Sequence, residues 1–165
     1  MIYGEEETSL ALEIGEILLR SQKRLATAES LTGGALGACL VSVSGSSNWY
    51  SGGIISYATE LKEKLLGVNK KTIAEVGAVS ERCVLEMAKG ALETCQADFA
   101  ISTSGVAGPN GDGSENPVGT VWLAVASKEK NLAQKFLFSG SREEVRRAAI
   151  REALLLFLKF IKQTN

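Results

Sequence analysis

The chain has 165 residues, which is enough for one well-packed domain and short for two, so we predict a single domain over residues 1–165. Hydrophobic residues make up 45% and charged residues 22%, a composition that excludes disordered and membrane classes. With 18 basic and 19 acidic residues the net charge is −1, so no global field favours nucleic acid or an anionic membrane as a partner. Any anion must therefore be bound locally.

The N-terminal sequence M-I-Y-G-E-E-E lacks the basic start and apolar core of a secretory signal, and we expect a cytoplasmic protein. No later apolar run approaches the ~18 residues of a membrane-spanning helix. The three cysteines, Cys39, Cys83 and Cys95, are widely spaced, and the chain has no histidine and no C-x-x-C pair. We therefore expect reduced thiols in the core, no metal site and no cofactor.

Hydrophobic periodicity predicts the elements in chain order. The first half should contain a helix from about Leu10 to Ser21, a strand over Leu25–Ala28, a helix from about Gly33 to Val43, a strand over Gly52–Tyr57, and helices over Thr59–Leu66 and Ser80–Cys95. The second half should contain a strand over Phe99–Thr103, a glycine-rich loop, a hairpin of strands Val118–Ala126 and Asn131–Phe138, and a last helix opened by the capping box of Ser141 and Glu144. This order predicts an α/β fold, a three-layer α/β/α sandwich with a mixed central sheet.

The segment A-E-S-L-T-G-G at 28–34 joins a predicted strand to a predicted helix. Backbone N–H groups at a helix start carry partial positive charge, and glycine permits close approach, so Ser30, Thr32, Gly33 and Gly34 are candidates to bind an oxyanion or phosphate. Serine followed by small residues is also how an ordinary helix begins. Because the chain has no histidine, a nucleophilic Ser30 would need lysine or a carboxylate as its base.

Lys62 and Tyr57 flank the junction between the second predicted strand and the next helix. A lysine serves as a base only where burial or nearby positive charge lowers its pKa well below ~10.4. The alternative is that Lys62 shares an ordinary solvated face with Lys64, Lys70 and Lys71. Thr59 stands three residues before Lys62 and is a competing nucleophile, although it lacks a glycine-rich turn.

Hydroxyl side chains also end the strand that begins at Phe99. Thr103 and Ser104, followed by Gly105 and Gly108, would lie where ligands bind in α/β sheets, although a purely structural turn explains the same pattern. Three arginines near the start of the last helix, Arg142, Arg146 and Arg147, are candidates for phosphate binding, or they pair with Glu143 and Glu144.

Five segments together resemble the CinA C-terminal domain family. They are A-E-S-L-T-G-G at 28–34, G-G-I-I-S-Y-A-T-E-L-K at 52–62, G-A-V-S-E at 77–81, S-G-V-A-G-P at 104–109 and P-V-G-T-V-W at 117–122. The resemblance runs from about Leu10 to Phe160 and is closest to the stand-alone form of this domain. Departures are mild: Leu31 replaces a cysteine found in some relatives, and Ala58 and Thr59 replace more polar residues.

The resemblance implies deamidation of nicotinamide mononucleotide to nicotinic acid mononucleotide and ammonia, in pyridine nucleotide salvage. It also implies a serine and a lysine as the catalytic pair, which by motif are Ser30 and Lys62, with Tyr57 lining the same site. It further suggests a homodimer or a higher homo-oligomer.

In the mechanism expected for this pair, neutral Lys62 takes the proton of Ser30, which attacks the carboxamide carbon, and Tyr57 positions Lys62 or relays a proton. Backbone N–H groups near Ser30 and in the Gly33 or Gly105 turns stabilise the oxyanion. Glu29 or Tyr57 would neighbour the cationic pyridinium ring, and a helix N-terminus or an arginine such as Arg142 would bind the phosphate. Two alternatives remain: a non-catalytic nucleotide-binding or regulatory module, and a general serine amidase or peptidase.

Overall fold

A five-stranded mixed sheet lies between two layers of helices in the computed structural model, which describes residues 2–163. The helices are α1 (Glu5–Ser21), α2 (Ala35–Val41), α3 (Thr59–Leu66), α4 (Lys70–Val76), α5 (Glu81–Cys95) and α6 (Arg142–Lys162), and a short 3₁₀ turn covers Ser46–Asn48. The strands are β1 (Leu25–Glu29), β2 (Tyr50–Ile55), β3 (Phe99–Gly105), β4 (Thr120–Ser127) and β5 (Asn131–Leu137). This architecture confirms the predicted α/β/α sandwich.

The strand order is β2-β1-β3-β4-β5. Strand β1 is parallel to both β2 and β3, whereas β4 is antiparallel to β3 and β5. The mixed sheet and the β4–β5 hairpin are therefore confirmed. Glu29 at the end of β1 is in register with Ile55 of β2 and Thr103 of β3. The residues that follow Glu29 and Ile55 consequently emerge at the same edge of the sheet, beside the end of β3.

The two faces of the sheet carry side chains of different size because successive strand residues point to opposite faces. Leucine, isoleucine, valine and phenylalanine side chains pack against α1, α2 and α6, with Leu25, Ile101 and Leu123 among the fully buried ones. Alanines line the other face, where α5 packs. They are Ala26, Ala28, Ala100, Ala124 and Ala126. Small side chains on this face allow the α5 backbone to pack close to the sheet.

Two elements near the chain surface differ from the sequence-based expectation. Helix α1 begins at Glu5 rather than near Leu10, and the Gly4 N–H donates to the Glu7 carboxylate at 2.6 Å. Acidic residues in a first turn are stabilised by the helix dipole, so the acidic start belongs to the helix. Helix α4 was not predicted from the sequence. It is only seven residues long and is capped by the side chain of Asn69.

The placement of Gly33 and Gly34 in the first turn of α2 was wrong. Both residues precede α2, with φ values of +61° and +91°. This left-handed backbone favours glycine and is incompatible with a regular right-handed helix. The two glycines therefore form a turn that separates Ser30 from the helix.

Cys39 and Cys83 are buried and Cys95 is half-buried, and all three are free thiols. The expectation of core thiols therefore holds fully for two of the three residues. Among residues 2–163, the helices are too short or too polar to cross a lipid bilayer.

Candidate active site

Ser30 lies immediately beyond β1, at the edge of the sheet where the parallel strands end. Its backbone N–H donates to the Thr103 carbonyl at 3.0 Å, and its carbonyl accepts the Gly33 N–H at 3.0 Å. The residue is 9% exposed. Pairing with β3 and closure of the glycine turn thus fix the backbone of Ser30 on both sides.

The side chain of Lys62 extends from α3 to the same edge of the sheet. Its Nζ donates to Ser30 Oγ at 3.1 Å and to the Ser56 carbonyl at 2.6 Å, and the residue is only 1% exposed. The three other lysines of the predicted basic face are exposed. They are Lys64, Lys70 and Lys71. The interpretation of Lys62 as a member of a solvated face is therefore wrong, and the structure brings Ser30 and Lys62 together.

Burial also changes the protonation of Lys62. Removal of the ammonium from water lowers the pKa of Lys62 below its ordinary value, and the nearby Cys83 and Glu60 oppose this only partly. A lowered pKa increases the fraction of neutral amine at a given pH. A neutral Nζ carries a lone pair that can accept the proton of the Ser30 hydroxyl.

Ser56 is a site residue that the sequence analysis missed. It follows β2, its N–H donates to the Glu29 carbonyl at 2.9 Å, and its own carbonyl is the second partner of Lys62. Its hydroxyl is fully buried and has no hydrogen-bond partner within the described residues. The available signal was topological, since residues that follow neighbouring parallel strands meet at one edge.

Glu29 lies beneath α2 rather than against an open surface. Its carboxylate accepts the N–H groups of Gly34, Leu36 and Gly37 at 2.9, 3.1 and 2.8 Å, and the residue is 1% exposed. The expectation that Glu29 neighbours a pyridinium ring is thus not supported by its placement. The same bonds occupy the amides at the start of α2, so these groups are not available to a substrate anion.

Two amides of the turn after Ser30 remain available. The backbone N–H groups of Leu31 and Thr32 have no acceptor anywhere in the described part of the chain. Both residues are nearly or fully buried, and buried N–H groups are rarely left unpaired in proteins. The Thr32 hydroxyl, in contrast, is hydrogen-bonded to the Thr103 hydroxyl at 2.8 Å. The turn that follows Ser30 therefore contains two unpaired backbone donors.

The end of β3 and the loop that follows it are held mainly by structural contacts. The Ser104 hydroxyl donates to the Ala78 carbonyl at 2.8 Å. A Cβ at Gly105 would lie 2.6 Å from the Thr120 carbonyl oxygen, so glycine permits this close backbone approach. The Gly108 carbonyl accepts Arg142 Nη1 at 2.8 Å. Thr103 and Ser104 thus have protein partners for the hydroxyls that were predicted to face a ligand.

The three arginines at the start of α6 have separate roles. Arg142 also donates from Nη2 to the Tyr57 hydroxyl at 3.0 Å, Arg146 donates to main-chain carbonyls of the Ser30 turn, and Arg147 pairs with Glu7 at 3.1 Å. Among the ion pairs of the described residues, none joins these arginines to Glu143 or Glu144. Arg142 is therefore the arginine of this group with an exposed guanidinium and neutral partners.

Tyr57 and Thr59 lie on either side of the β2–α3 junction. Tyr57 is 59% exposed and its hydroxyl accepts from Arg142, whereas Lys62 bonds to Ser30 and Ser56, so the expected contact of Tyr57 with Lys62 is not formed and its ring lies at the rim of the site. Thr59 is the first residue of α3, one turn before Lys62. The side-chain hydroxyl that Lys62 contacts is that of Ser30, which favours Ser30 over Thr59 as the nucleophile.

These features define an α/β protein with a buried serine–lysine pair at the carboxyl edge of its parallel strands. The chain belongs to the CinA C-terminal domain family, whose model matches residues 7–161. It is 42% identical over 161 residues to "Nicotinamide-nucleotide amidohydrolase PncC" of Escherichia coli (strain K12), covering 96% of this chain and 98% of that one.

A second relative and a solved structure agree with this assignment. The protein of the same name from Enterobacter agglomerans is 43% identical over 155 residues, covering 93% of this chain and 94% of that one. The crystal structure of the competence damage-inducible protein A (ComA) from Klebsiella pneumoniae subsp. pneumoniae MGH 78578 matches with a TM-score of 0.92 at 36% identity, covering 94% of this chain and 97% of that one. The family resemblance inferred from the five motifs is thus confirmed.

Proposed function

We propose that the protein is an amidohydrolase that converts nicotinamide mononucleotide and water to nicotinic acid mononucleotide and ammonia. The observation that carries the proposal is the buried Lys62 Nζ at 3.1 Å from Ser30 Oγ. Full-length relatives that carry the name nicotinamide-nucleotide amidohydrolase support the choice of substrate. Such an enzyme would return the amide form of the nucleotide to the acid form in pyridine nucleotide salvage.

The first chemical step is acylation of Ser30. Neutral Lys62 accepts the hydroxyl proton as Oγ forms a bond to the carboxamide carbon, and the C=O electron pair moves onto oxygen. The resulting Lys62 ammonium then donates a proton to the amide nitrogen as the C–N bond breaks. Ammonia leaves and an ester of Ser30 remains.

The oxyanion of this step would be bound by the unpaired N–H groups of Leu31 and Thr32. Gly33 was also a candidate donor, but its N–H is already donated to the Ser30 carbonyl. Fixed donors near a developing oxyanion commonly contribute ~10²–10³ in rate. In the second step water attacks the ester carbon while Lys62 accepts a proton from the water, and the Lys62 ammonium returns this proton to Ser30 Oγ as the C–O bond to Ser30 breaks and the acid product leaves.

Recognition of the nucleotide would fall to the rim of the site. The exposed ring of Tyr57 suits the cationic pyridinium through a cation–π contact. Arg142 donates to neutral partners, the Gly108 carbonyl and the Tyr57 hydroxyl, rather than to a carboxylate, and it suits the 5′-phosphate. The two groups are joined by a hydrogen bond and would orient ring and phosphate together.

Ammonia release from nicotinamide mononucleotide tests the proposal, with Ser30→Ala and the matched control Thr59→Ala. Wild type and Thr59→Ala should release ammonia at similar rates, and Ser30→Ala should release none while keeping the wild-type melting temperature. Loss in Thr59→Ala alone would move the nucleophile to Thr59. Nucleotide binding by the wild type without ammonia release would instead identify a regulatory module, and turnover of simple amides or peptides a general amidase.

A further inference from the structure

Arg146 reaches from α6 to the turn that follows Ser30. Its Nε donates to the Leu31 carbonyl at 2.9 Å and its Nη2 donates to the Thr32 carbonyl at 3.0 Å. Helix α6 lies far along the chain from this turn, so the contact is purely tertiary. The forked guanidinium thus holds two successive carbonyls of the turn in one fixed orientation.

The first of these carbonyls belongs to the same peptide group as an unpaired donor. The Leu31 C=O and the Thr32 N–H are the two ends of one planar peptide, so a bond to the carbonyl fixes the direction of the N–H. A cationic donor on the carbonyl also polarises the peptide and makes its N–H a stronger donor. Arg146 therefore acts on the Thr32 N–H without touching the space in front of it.

Arg146 bonds to backbone carbonyls rather than to a carboxylate. No ion pair of Arg146 occurs within residues 2–163, and its partners are neutral carbonyls. Arg147, one residue later, forms an ion pair with the buried carboxylate of Glu7 in α1 and forms no hydrogen bond with the turn. Of these two neighbouring arginines, Arg146 therefore bonds to the turn and Arg147 links α6 to α1.

We propose that Arg146 is a positioning residue that aligns and polarises the Leu31–Thr32 peptide so that its N–H binds the oxyanion of the reaction. This proposal rests on the amidohydrolase function proposed above. It predicts that Arg146 contributes to the rate of acylation and not to nucleotide affinity, because an oxyanion forms only after the substrate has bound.

Steady-state kinetics of Arg146→Met, Arg146→Lys and the control Arg147→Met test this assignment. Arg146→Met should lower kcat about 10-fold to 100-fold with KM within about twofold, because the donor is misaligned and less polarised. Arg146→Lys keeps the charge but not the fork, and should recover part of kcat. Arg147→Met should keep both kcat and KM within about twofold, although it loses the pair with Glu7.

Melting temperatures identify variants that merely unfold, and Arg146→Lys provides a folded test where Arg146→Met is unstable. A wild-type kcat in either folded Arg146 variant would overturn the assignment, as would a rise in KM that accounts for the whole loss. Absence of ammonia from the wild-type enzyme would overturn the proposed function itself. That outcome can be distinguished from failure of the Arg146 assignment, because it is seen in the wild-type enzyme alone.

Discussion

The Nζ of Lys62 lies 3.1 Å from the Oγ of Ser30, and the lysine is almost fully removed from water. The pair joins the residue after β1 to the middle of α3, two elements that meet only because β1 and β2 are parallel neighbours. In the mechanism proposed above, this contact provides the base that a serine nucleophile requires in a chain without histidine.

The activity should rise with pH. Lys62 must be neutral to accept the proton of Ser30, and burial lowers its pKa below the ordinary 10.5. The rate constant kcat/KM should therefore increase as Lys62 loses its proton and level off at a pH below 10.5. A profile of kcat/KM measured between about pH 6 and pH 10 checks this. A rate that falls steadily as the pH rises would contradict the role of Lys62 as base.

Lys62→Met should abolish ammonia release and yet stabilise the fold at neutral pH. Because the pKa of Lys62 is lower in the folded state, the contribution of Lys62 to stability is most favourable above the unfolded pKa of 10.5. This contribution is lost as the pH falls through the folded pKa. Methionine has a similar volume and does not titrate, so the variant avoids this pH-dependent loss of stability. The advantage of the variant should thus grow as the pH decreases, by about 1.4 kcal/mol for each unit of depression.

Urea unfolding of Lys62→Met, the wild type and Lys64→Met at several pH values measures this difference. Lys64 is exposed on the same helix, so its replacement should give no pH-dependent change relative to the wild type. A Lys62→Met variant that is less stable than the wild type at neutral pH would show that the bonds of Lys62 outweigh its burial.

Arg142→Met should weaken binding of the nucleotide. The loss of a charge-assisted bond to phosphate predicts a rise in KM of about tenfold with a smaller change in kcat. Lys159→Met, an exposed cation on the same helix far from the site, is the control and should leave KM unchanged. An unchanged KM in Arg142→Met would place the phosphate elsewhere.

Glu29→Gln should destabilise the turn that carries Ser30. The carboxylate accepts three amides of the turn and of α2, and an amide side chain offers one acceptor oxygen and places N–H against N–H. We expect a loss of about 2 kcal/mol in the free energy of unfolding, together with reduced activity. Urea denaturation measures the former. Glu16→Gln, which breaks only an exposed pair on α1, should change stability by less than about 0.5 kcal/mol.

Gly90→Ala should displace the helix that carries Lys62. A Cβ at Gly90 of α5 would lie 2.6 Å from the carbonyl carbon and 2.7 Å from the Cα of Leu66, the last residue of α3. Overpacking of this kind typically costs about 1–3 kcal/mol. Thermal unfolding and ammonia release should both decline. Gly111→Ala is the matched control, because a Cβ there meets nothing within 4 Å, and wild-type behaviour of both variants would show that α3 yields without consequence.

Local patterns in the sequence were sufficient for most of the fold. Helix α3 has the predicted bounds, and α5 and α6 begin after the predicted caps Ser80 and Ser141, because these signals depend on neighbouring residues alone. The same local reasoning missed α4 because it is short and mostly polar. It also placed Gly33 and Gly34 inside α2, since small residues are typical of both a helix and a turn.

Side-chain roles at the site were harder to predict. A carboxylate beside Ser30 suggested a substrate contact, yet Glu29 turns back to cap α2. Three arginines with similar sequence surroundings contact three unrelated parts of the molecule. Ser56 lies inside the quoted segment 52–62, but nothing in that segment marked it as a partner of Lys62. The arginines contact residues far away in the chain, and Glu29 and Ser56 meet their nearer partners across turns, so no periodicity or spacing could identify these contacts.

Local sequence patterns were enough to place the strands and every helix except α4, and the lack of histidine and the five motifs directed attention to Ser30 and Lys62. Only the folded structure shows that Lys62 is buried, that its amine contacts Ser30, and that Arg146 bonds to the turn beside them. Burial, pKa and hydrogen-bond direction depend on which surfaces the folded chain brings together. Which surfaces meet depends on how the whole sheet packs against its helices, and short stretches of sequence do not contain this information.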